Sequence, residues 1–208
     1  MVPVRALILD YGGVLVHHQP AELVERMAEA AGAPVAAFTA AYWAHRNEYD
    51  LRGDARRYWD AVLRDAGSAL DRPARQAVRP ALVALDAESW AQYREEVWRM
   101  AERFREAGGR TALLSNCGPE VIARMRAQRD AARTFDAQVV SWEVGCLKPD
   151  PAIYRLTLQR LGVTASAALF VDDRADNVAS AEAVGLQGLV FTGDDSVEEL
   201  RRRLARSG

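Results

Sequence analysis

Cysteine, histidine and long apolar runs are all scarce in this 208-residue sequence. It has two cysteines and three histidines, and Cys117 and Cys146 form neither a CxxC pair nor a zinc-site spacing. No apolar run approaches the ~20 residues that cross a bilayer, and no signal-peptide pattern precedes the first apolar segment. We therefore expect a reduced, cytoplasmic protein that has no membrane partner.

An excess of charge of either sign is also missing. The formal net charge is −2, so no overall field would draw the chain to nucleic acid or to an anionic membrane. The basic run at 201–203 follows an acidic stretch, which predicts a solvated terminal helix rather than a nucleic-acid patch. We expect no nucleic-acid partner, and the sequence leaves both a monomer and a homodimer open.

Short apolar segments predict the strands of a parallel sheet. They cover residues 4–9, 111–114, 138–140, 168–171 and 189–191. Their apolar runs are continuous rather than alternating, which is typical of strands that are buried on both faces. Helical patterns at 119–129, 151–161 and 176–184 separate the last four strands. This alternation predicts an α/β fold with a doubly wound, Rossmann-like sheet.

The interval between the first two strands is different, because about a hundred residues there are nearly all helical in pattern. Five segments stand out, at 20–31, 34–48, 55–66, 73–85 and 87–107. A connection of this length predicts a helical insert that folds over the sheet. We therefore predict a core domain of residues 1–16 and 108–208 and a helical cap domain of residues 17–107.

Acidic residues follow the first and fourth predicted strands. Asp10 precedes two glycines, whose lack of a side chain lets a ligand approach the backbone. Asp172 and Asp173 are adjacent, and such a pair is costly at a buried strand end unless a cation or strong donors hold it. Asn177 lies close enough in sequence to brace the pair. Oxygen ligands of this kind suit Mg²⁺, although each acid alone also fits an ordinary turn.

Two further polar segments follow the second and third strands. Ser115 and Asn116 precede a predicted helix and fit either an anion seat or a simple helix cap. Lys148 stands before Pro149, in a loop whose prolines restrict the backbone, and fits either a phosphate contact or a surface lysine. Ligands of open α/β sheets bind beyond the carboxyl ends of the strands, so we expect all four segments at one rim.

In this order the four segments resemble the four motifs of the haloacid dehalogenase-like superfamily, and the helical insert resembles its cap. The sequence is most similar to the phosphatase-like domain of soluble epoxide hydrolases and to small bacterial sugar-phosphate phosphatases. The resemblance implies a Mg²⁺-dependent hydrolase that cleaves a small phosphorylated metabolite through an aspartyl-phosphate. It assigns roles to eight positions: the nucleophile Asp10; the Mg²⁺ ligands Asp10, the Gly12 carbonyl and Asp173, with Asp172 and Asn177 behind them; and the phosphoryl contacts Ser115, Asn116 and the charge-neutralising Lys148.

One position departs from the family pattern. The usual first motif has a second acid two residues after the nucleophile, which transfers protons, and here that residue is Gly12. General acid–base help is typically worth ~10²–10⁴ in rate. His17 and His18 follow soon after and are alternative proton donors or ordinary loop residues.

Substrate choice is expected to lie in the insert. Arg46 stands in an aromatic and cationic stretch and fits either a bidentate contact to an anionic substrate or a solvated helix end. Two other functions stay open. One is a metal-independent 2-haloacid dehalogenase, and the other is a weakly active or non-catalytic binding protein, which the glycine at position 12 suggests.

Overall fold

A five-stranded sheet forms the centre of the computed structural model, which describes residues 2–205. The strand order is β3-β2-β1-β4-β5, and all four neighbouring pairs are parallel. This arrangement confirms the predicted doubly wound α/β fold. The strands are β1 (Ala6–Leu9), β2 (Arg110–Ser115), β3 (Ala137–Val140), β4 (Ala168–Asp172) and β5 (Gln187–Val190).

Helices cover both faces of the sheet and explain the continuous apolar pattern of its strands. In β1, Leu7 and Leu9 face one apolar cluster, whereas Ala6 and Ile8 face the other. The first cluster is closed by α5 (Glu95–Glu106), α6 (Pro119–Gln128), α7 (Ala131–Thr134) and α11 (Asp194–Ala205). The second is closed by α9 (Pro151–Leu161) and α10 (Ala175–Ala183), and α8 (Ser141–Val144) follows β3.

The insert contributes a third apolar cluster of its own. Its helices are α1 (Ala21–Ala30), α2 (Val35–Arg52), α3 (Ala55–Asp65) and α4 (Arg72–Ser89). They bury Phe38, Tyr42, Trp59 and Leu82 among themselves. By contrast, Trp98 of α5 packs in the cluster beneath the sheet. The predicted boundary at residue 107 stays a prediction, and this packing favours an insert that ends before α5.

The predicted division between the last two helices of this interval is wrong. Instead of breaking at residue 86, α4 continues to Ser89, and residues 90–94 form the connection to α5. Backbone bonds hold that connection: the Arg94 N–H donates to Leu15 O (2.9 Å) and the His17 N–H to Gln92 O (2.8 Å). Such long-range contacts override local helix propensity.

Capping residues mark the start of α3 and the end of α9. The Asp54 side chain accepts the Arg57 N–H at 2.9 Å and caps α3. Gly162 ends α9 in the left-handed region, with φ of 67°. Within the described part of the chain, every helix is too short or too polar to span a bilayer.

Candidate active site

Three carboxylates meet at the carboxyl ends of β1 and β4. Asp10 follows β1, Asp172 ends β4 and Asp173 comes next, and each offers an oxygen within 4.8 Å of the others. The Tyr11 N–H donates to the Asp10 carboxylate (2.7 Å), and the Asp10 N–H donates to the Val171 carbonyl (2.9 Å). The parallel register thus brings together residues that are distant in sequence, as the sequence predicted.

Lys148 lies between two of these acids. Its Nζ is 2.7 Å from Asp10 Oδ1 and 2.6 Å from Asp172 Oδ2, and it donates to the Leu114 carbonyl at 3.0 Å. Only 1% of its side chain is exposed. Asn116 positions this loop, because its Nδ2 donates to Lys148 O and its Oδ1 accepts the Lys148 N–H, both at 2.8 Å. The Asn116 side chain therefore binds the lysine backbone, and its predicted phosphate contact stays a prediction.

Asp172 and Asp173 have different surroundings. Asp172 is fully buried and accepts from the Asn177 Nδ2 at 3.0 and 3.1 Å and from the Arg174 N–H at 2.8 Å. Asp173 keeps 22% of its side chain exposed and lies 3.7 Å from His18 Nε2. Asp172 therefore anchors the lysine, whereas Asp173 is free to contact a ligand.

The electrostatics of this cluster are those of a site with surplus negative charge. Burial raises the pKa of Asp10, and Asp172 and Asp173 raise it further, although Lys148 acts in the opposite direction. Burial and the neighbouring Asp172 also raise the pKa of Asp173. The pKa of Lys148 is raised because its two carboxylate partners outweigh the effect of burial, so the lysine is charged. Three acids against one ammonium suit a divalent cation with oxygen ligands.

A cavity of about 600 Å³ opens in front of these acids. Ser115, at the end of β2, is 2% exposed and lines the cavity. Of the eight positions with predicted roles, all except Asp172 line it, and so does Arg46 from the insert. His18 lines it with 73% of its side chain exposed, whereas His17 is not among the lining residues. Of the two histidines, only His18 thus stands at the cavity.

Gly12 and Gly13 differ in why they are glycine. Gly13 has φ of 72°, and a Cβ there would lie 2.5 Å from Asp173 Oδ2, so both backbone and space require glycine. Gly12 has φ of −65° and ψ of 133°, which any residue adopts. A Cβ at Gly12 would instead meet Trp90 Cζ3 at 3.3 Å. Sequence reasoning missed Trp90, because no local pattern links residues so far apart.

Arg46 is buried in an ionic cluster of the insert. Its Nε donates to Asp50 Oδ1 at 2.9 Å and its Nη1 to Asp86 Oδ2 at 3.2 Å. Tyr42 donates to Asp86 Oδ1 at 2.6 Å. The contact of Arg46 with a substrate anion stays a prediction, since its guanidinium already donates hydrogen bonds to two carboxylates. Of these partners, only the Arg46–Asp50 spacing of four residues was readable from the sequence.

Comparison with known proteins agrees with this geometry. A family model described as haloacid dehalogenase-like hydrolase matches residues 4–185. The chain belongs to this hydrolase family. Among curated relatives, it is 34% identical over 110 residues to phosphatase MT3486 of Mycobacterium tuberculosis, covering 52% of this chain and 51% of that protein. It is 31% identical over 97 residues to the sesquiterpene phosphatase astK of Aspergillus oryzae, covering 45% and 50%. These matches span about half the length of either relative.

Solved structures of the haloacid dehalogenase-like family share the fold. An enzyme of this family from Bacteroides thetaiotaomicron, in complex with magnesium and inorganic phosphate, superposes with a TM-score of 0.73 at 17% identity, covering 92% of this chain and 96% of that one. A 2-haloacid dehalogenase from Pseudomonas syringae gives a TM-score of 0.66 at 21% identity, covering 99% and 100%. At such identities the likeness establishes the architecture alone.

Proposed function

We propose that this hydrolase is a Mg²⁺-dependent phosphatase that cleaves a small phosphomonoester through an aspartyl-phosphate on Asp10. The observation that carries the proposal is the convergence of the Asp10, Asp172 and Asp173 carboxylates within 4.8 Å. Relatives named as phosphatases and a family structure titled as a complex with magnesium and phosphate support it.

The donor set fits magnesium. Asp10, the Gly12 carbonyl and Asp173 would hold the ion, with Asp172 and Asn177 behind them. When bound, the cation neutralises charge on the phosphoryl oxygens and on the carboxylates. Burial raises the pKa of Asp10, and the neighbouring Asp172 raises it further. The charged form of Asp10 therefore needs a positive partner, which is the physical reason to expect a cation there.

The remaining side chains position the phosphoryl group. Lys148, charged and 2.7 Å from Asp10 Oδ1, holds the nucleophile and offsets the negative charge that accumulates as its oxygen approaches phosphorus. Ser115 lines the cavity together with Lys148 and would donate to a phosphoryl oxygen. Phosphoryl transfer depends mainly on such positioning and electrostatic stabilisation.

A panel of phosphomonoesters, assayed for phosphate release with Mg²⁺ and again with EDTA, tests this function. We expect release that EDTA stops and added Mg²⁺ restores. A parallel assay for chloride release from 2-chloropropionate without metal tests the dehalogenase alternative. Chloride release without any metal-dependent phosphate release would replace the proposed function with that alternative.

A further inference from the structure

The space beside Gly12 is filled by an aromatic ring. The carbons of Trp90 would lie 3.3, 3.8 and 3.9 Å from a Cβ at this position. Both the ring and the backbone of this residue are held, because Trp90 Nε1 donates to the Tyr42 hydroxyl (3.1 Å) and the Trp90 backbone carbonyl accepts from the Tyr11 hydroxyl (2.8 Å). The backbone at Gly12 permits a side chain, but the indole packs against the position of its Cβ more tightly than an ordinary contact.

A second indole extends this aromatic surface to the mouth of the cavity. Trp43 lies with its ring centroid 6.4 Å from that of Trp90, at an interplanar angle of 85°, and is 52% exposed. Both line the cavity that contains Asp10. Arg46, beside them, already binds Asp50 and Asp86. The insert therefore presents two aromatic rings, with the amide of Asn47 at their side, toward the nucleophile.

The missing acid restricts which leaving groups can depart. As an Asp10 oxygen bonds to phosphorus, the ester P–O bond breaks and its electron pair stays on the leaving oxygen. A phenolate, whose phenol has a pKa of about 10, carries that pair far more readily than an alkoxide, whose alcohol has a pKa near that of water, about 15.7. Water then bonds to phosphorus, the P–O bond to Asp10 breaks, and both water protons leave on dihydrogen phosphate.

We propose that this enzyme selects phosphomonoesters with a flat, apolar and acidic leaving group, of the aryl phosphate class, and that Trp43 and Trp90 bind that group. The inference rests on the proposed phosphatase function. It joins two observations: the Trp90 ring packs against Gly12, where the family pattern has an acid, and Trp90 and Trp43 together line the cavity that contains Asp10.

A leaving-group series provides the first test. Substituted phenyl phosphates, simple alkyl phosphates and sugar phosphates are compared by kcat/KM with Mg²⁺. We expect the phenyl esters to exceed the alkyl esters by on the order of 10²–10⁴, with rates that rise as the phenol becomes more acidic. Equal or higher rates on alkyl or sugar phosphates overturn this inference while leaving the phosphatase function intact. Absence of hydrolysis on every ester overturns both.

The exposed indole allows a separate test of binding. Trp43→Ala should raise KM for phenyl phosphate by roughly tenfold, because an aromatic contact is lost. Its KM for acetyl phosphate, which has an acidic leaving group without a ring, should stay unchanged, and Trp43→Phe should restore most of the phenyl phosphate value. An equal change in KM for phenyl phosphate and for acetyl phosphate would contradict a role for Trp43 in recognising the ring.

Replacing Gly12 and Trp90 together gives the third test. Gly12→Asp with Trp90→Ala makes room for an acid, so alkyl phosphate turnover should rise at least tenfold and the dependence on leaving-group acidity should flatten. Gly12→Asn with Trp90→Ala is the matched control, because asparagine has nearly the shape of aspartate but no acidic proton to transfer. Equal turnover by the two double variants argues against the inference.

A measurement on the unaltered protein covers the case in which the double variants do not fold. Phenylphosphonate and methylphosphonate carry the same anion and are not hydrolysed. With Mg²⁺ present, the inhibition constant of phenylphosphonate should be roughly tenfold lower than that of methylphosphonate, because only the phenyl compound gains an aromatic contact. Inhibition at the same concentration would overturn the inference.

Discussion

Two buried ionic clusters border the same cavity, and they differ in how completely their charges are paired. In the insert, Arg46 binds Asp50 and Asp86, and the exposed fraction of each side chain is 6% or less. At the strand ends, Asp10 and Asp173 keep 11% and 22% of their side chains exposed. A buried cluster with its own partners serves the fold, whereas incompletely paired acids at a cavity are candidates for binding and chemistry.

The two clusters are linked through the core. The Ser141 hydroxyl donates to the carbonyl of Asp50 and accepts the Cys117 N–H at 3.1 Å. Cys117 directly follows Ser115 and Asn116. Ser141 therefore joins α2, which carries Arg46 and Asp50, to the loop that contains the predicted phosphoryl contacts. The expected contribution of the insert cluster is to stability and to the shape of the cavity.

The largest expected effect separates the clusters by chemistry. Asp10→Asn should reduce phosphatase turnover on the order of 10³-fold or more, because the nucleophile is lost. Circular dichroism should show a folded protein. Asp195→Asn changes an exposed acid of α11 and should keep full turnover. Substantial turnover by Asp10→Asn would refute the nucleophile assignment.

The insert cluster should respond in stability instead. Arg46→Met leaves two buried carboxylates without their cation, so the free energy of unfolding should fall by about 3–5 kcal/mol. Arg56→Met, whose parent side chain is 81% exposed, should change it by less than about 0.5 kcal/mol. Chemical denaturation measures both. A stable Arg46→Met variant with a raised KM for phosphomonoesters would instead establish the substrate contact that the sequence predicted.

Magnesium should stabilise the protein only through the acids at the strand ends, Asp10 and Asp173. At a concentration of 100 times its Kd, Mg²⁺ should add about 2.7 kcal/mol to the free energy of unfolding. Thermal unfolding with and without Mg²⁺ measures this gain without any turnover. Asp173→Asn should lose it and Asp60→Asn, an exposed change in the insert, should keep it. An equal gain in the Asp173 variant would contradict its predicted role as a metal ligand.

The smallest expected effect on stability concerns Asp136, a carboxylate that accepts several hydrogen bonds. Burial favours the neutral form of Asp136, but the Thr111 N–H and Arg105 outweigh it and lower its pKa. The folded state therefore binds fewer protons than the unfolded state between the two pKa values, so this stabilisation is present above the unfolded pKa and is lost as pH falls through the folded one. Asp136→Asn should cost about 0.5–1 kcal/mol at pH 7, since the residue is partly exposed.

Denaturation of both proteins at pH 7 and at a series of lower pH values checks this sign. The difference between wild type and Asp136→Asn should shrink as the pH falls, because the wild-type carboxyl then becomes protonated. A difference that stays constant would show that the hydrogen-bond geometry, rather than the charge, is responsible.

Much of the candidate site at the rim of the sheet was predictable from the sequence by itself. Asp10 and Asp172 each end a continuous apolar run, and the carboxyl ends of parallel strands must share one edge of the sheet. The fold and the position of these acids at one rim could therefore be predicted before any coordinates, and the resemblance of the four segments to the haloacid dehalogenase-like motifs indicated the family. The insert was predictable as helical, but its cluster was not, since local patterns carry little information on which helices pack together.

The sequence by itself determined the strands, the helices and the chemical character of the strand ends, because these depend on neighbours a few residues away. Only the tertiary structure decided that Arg46 pairs with Asp86, 40 residues on, and that the Trp90 ring covers Gly12. The first contact joins two helices of the insert, and the second joins the residue that follows the insert's last helix to the core. Packing of distant side chains, and not local propensity, determines what lies beside Asp10.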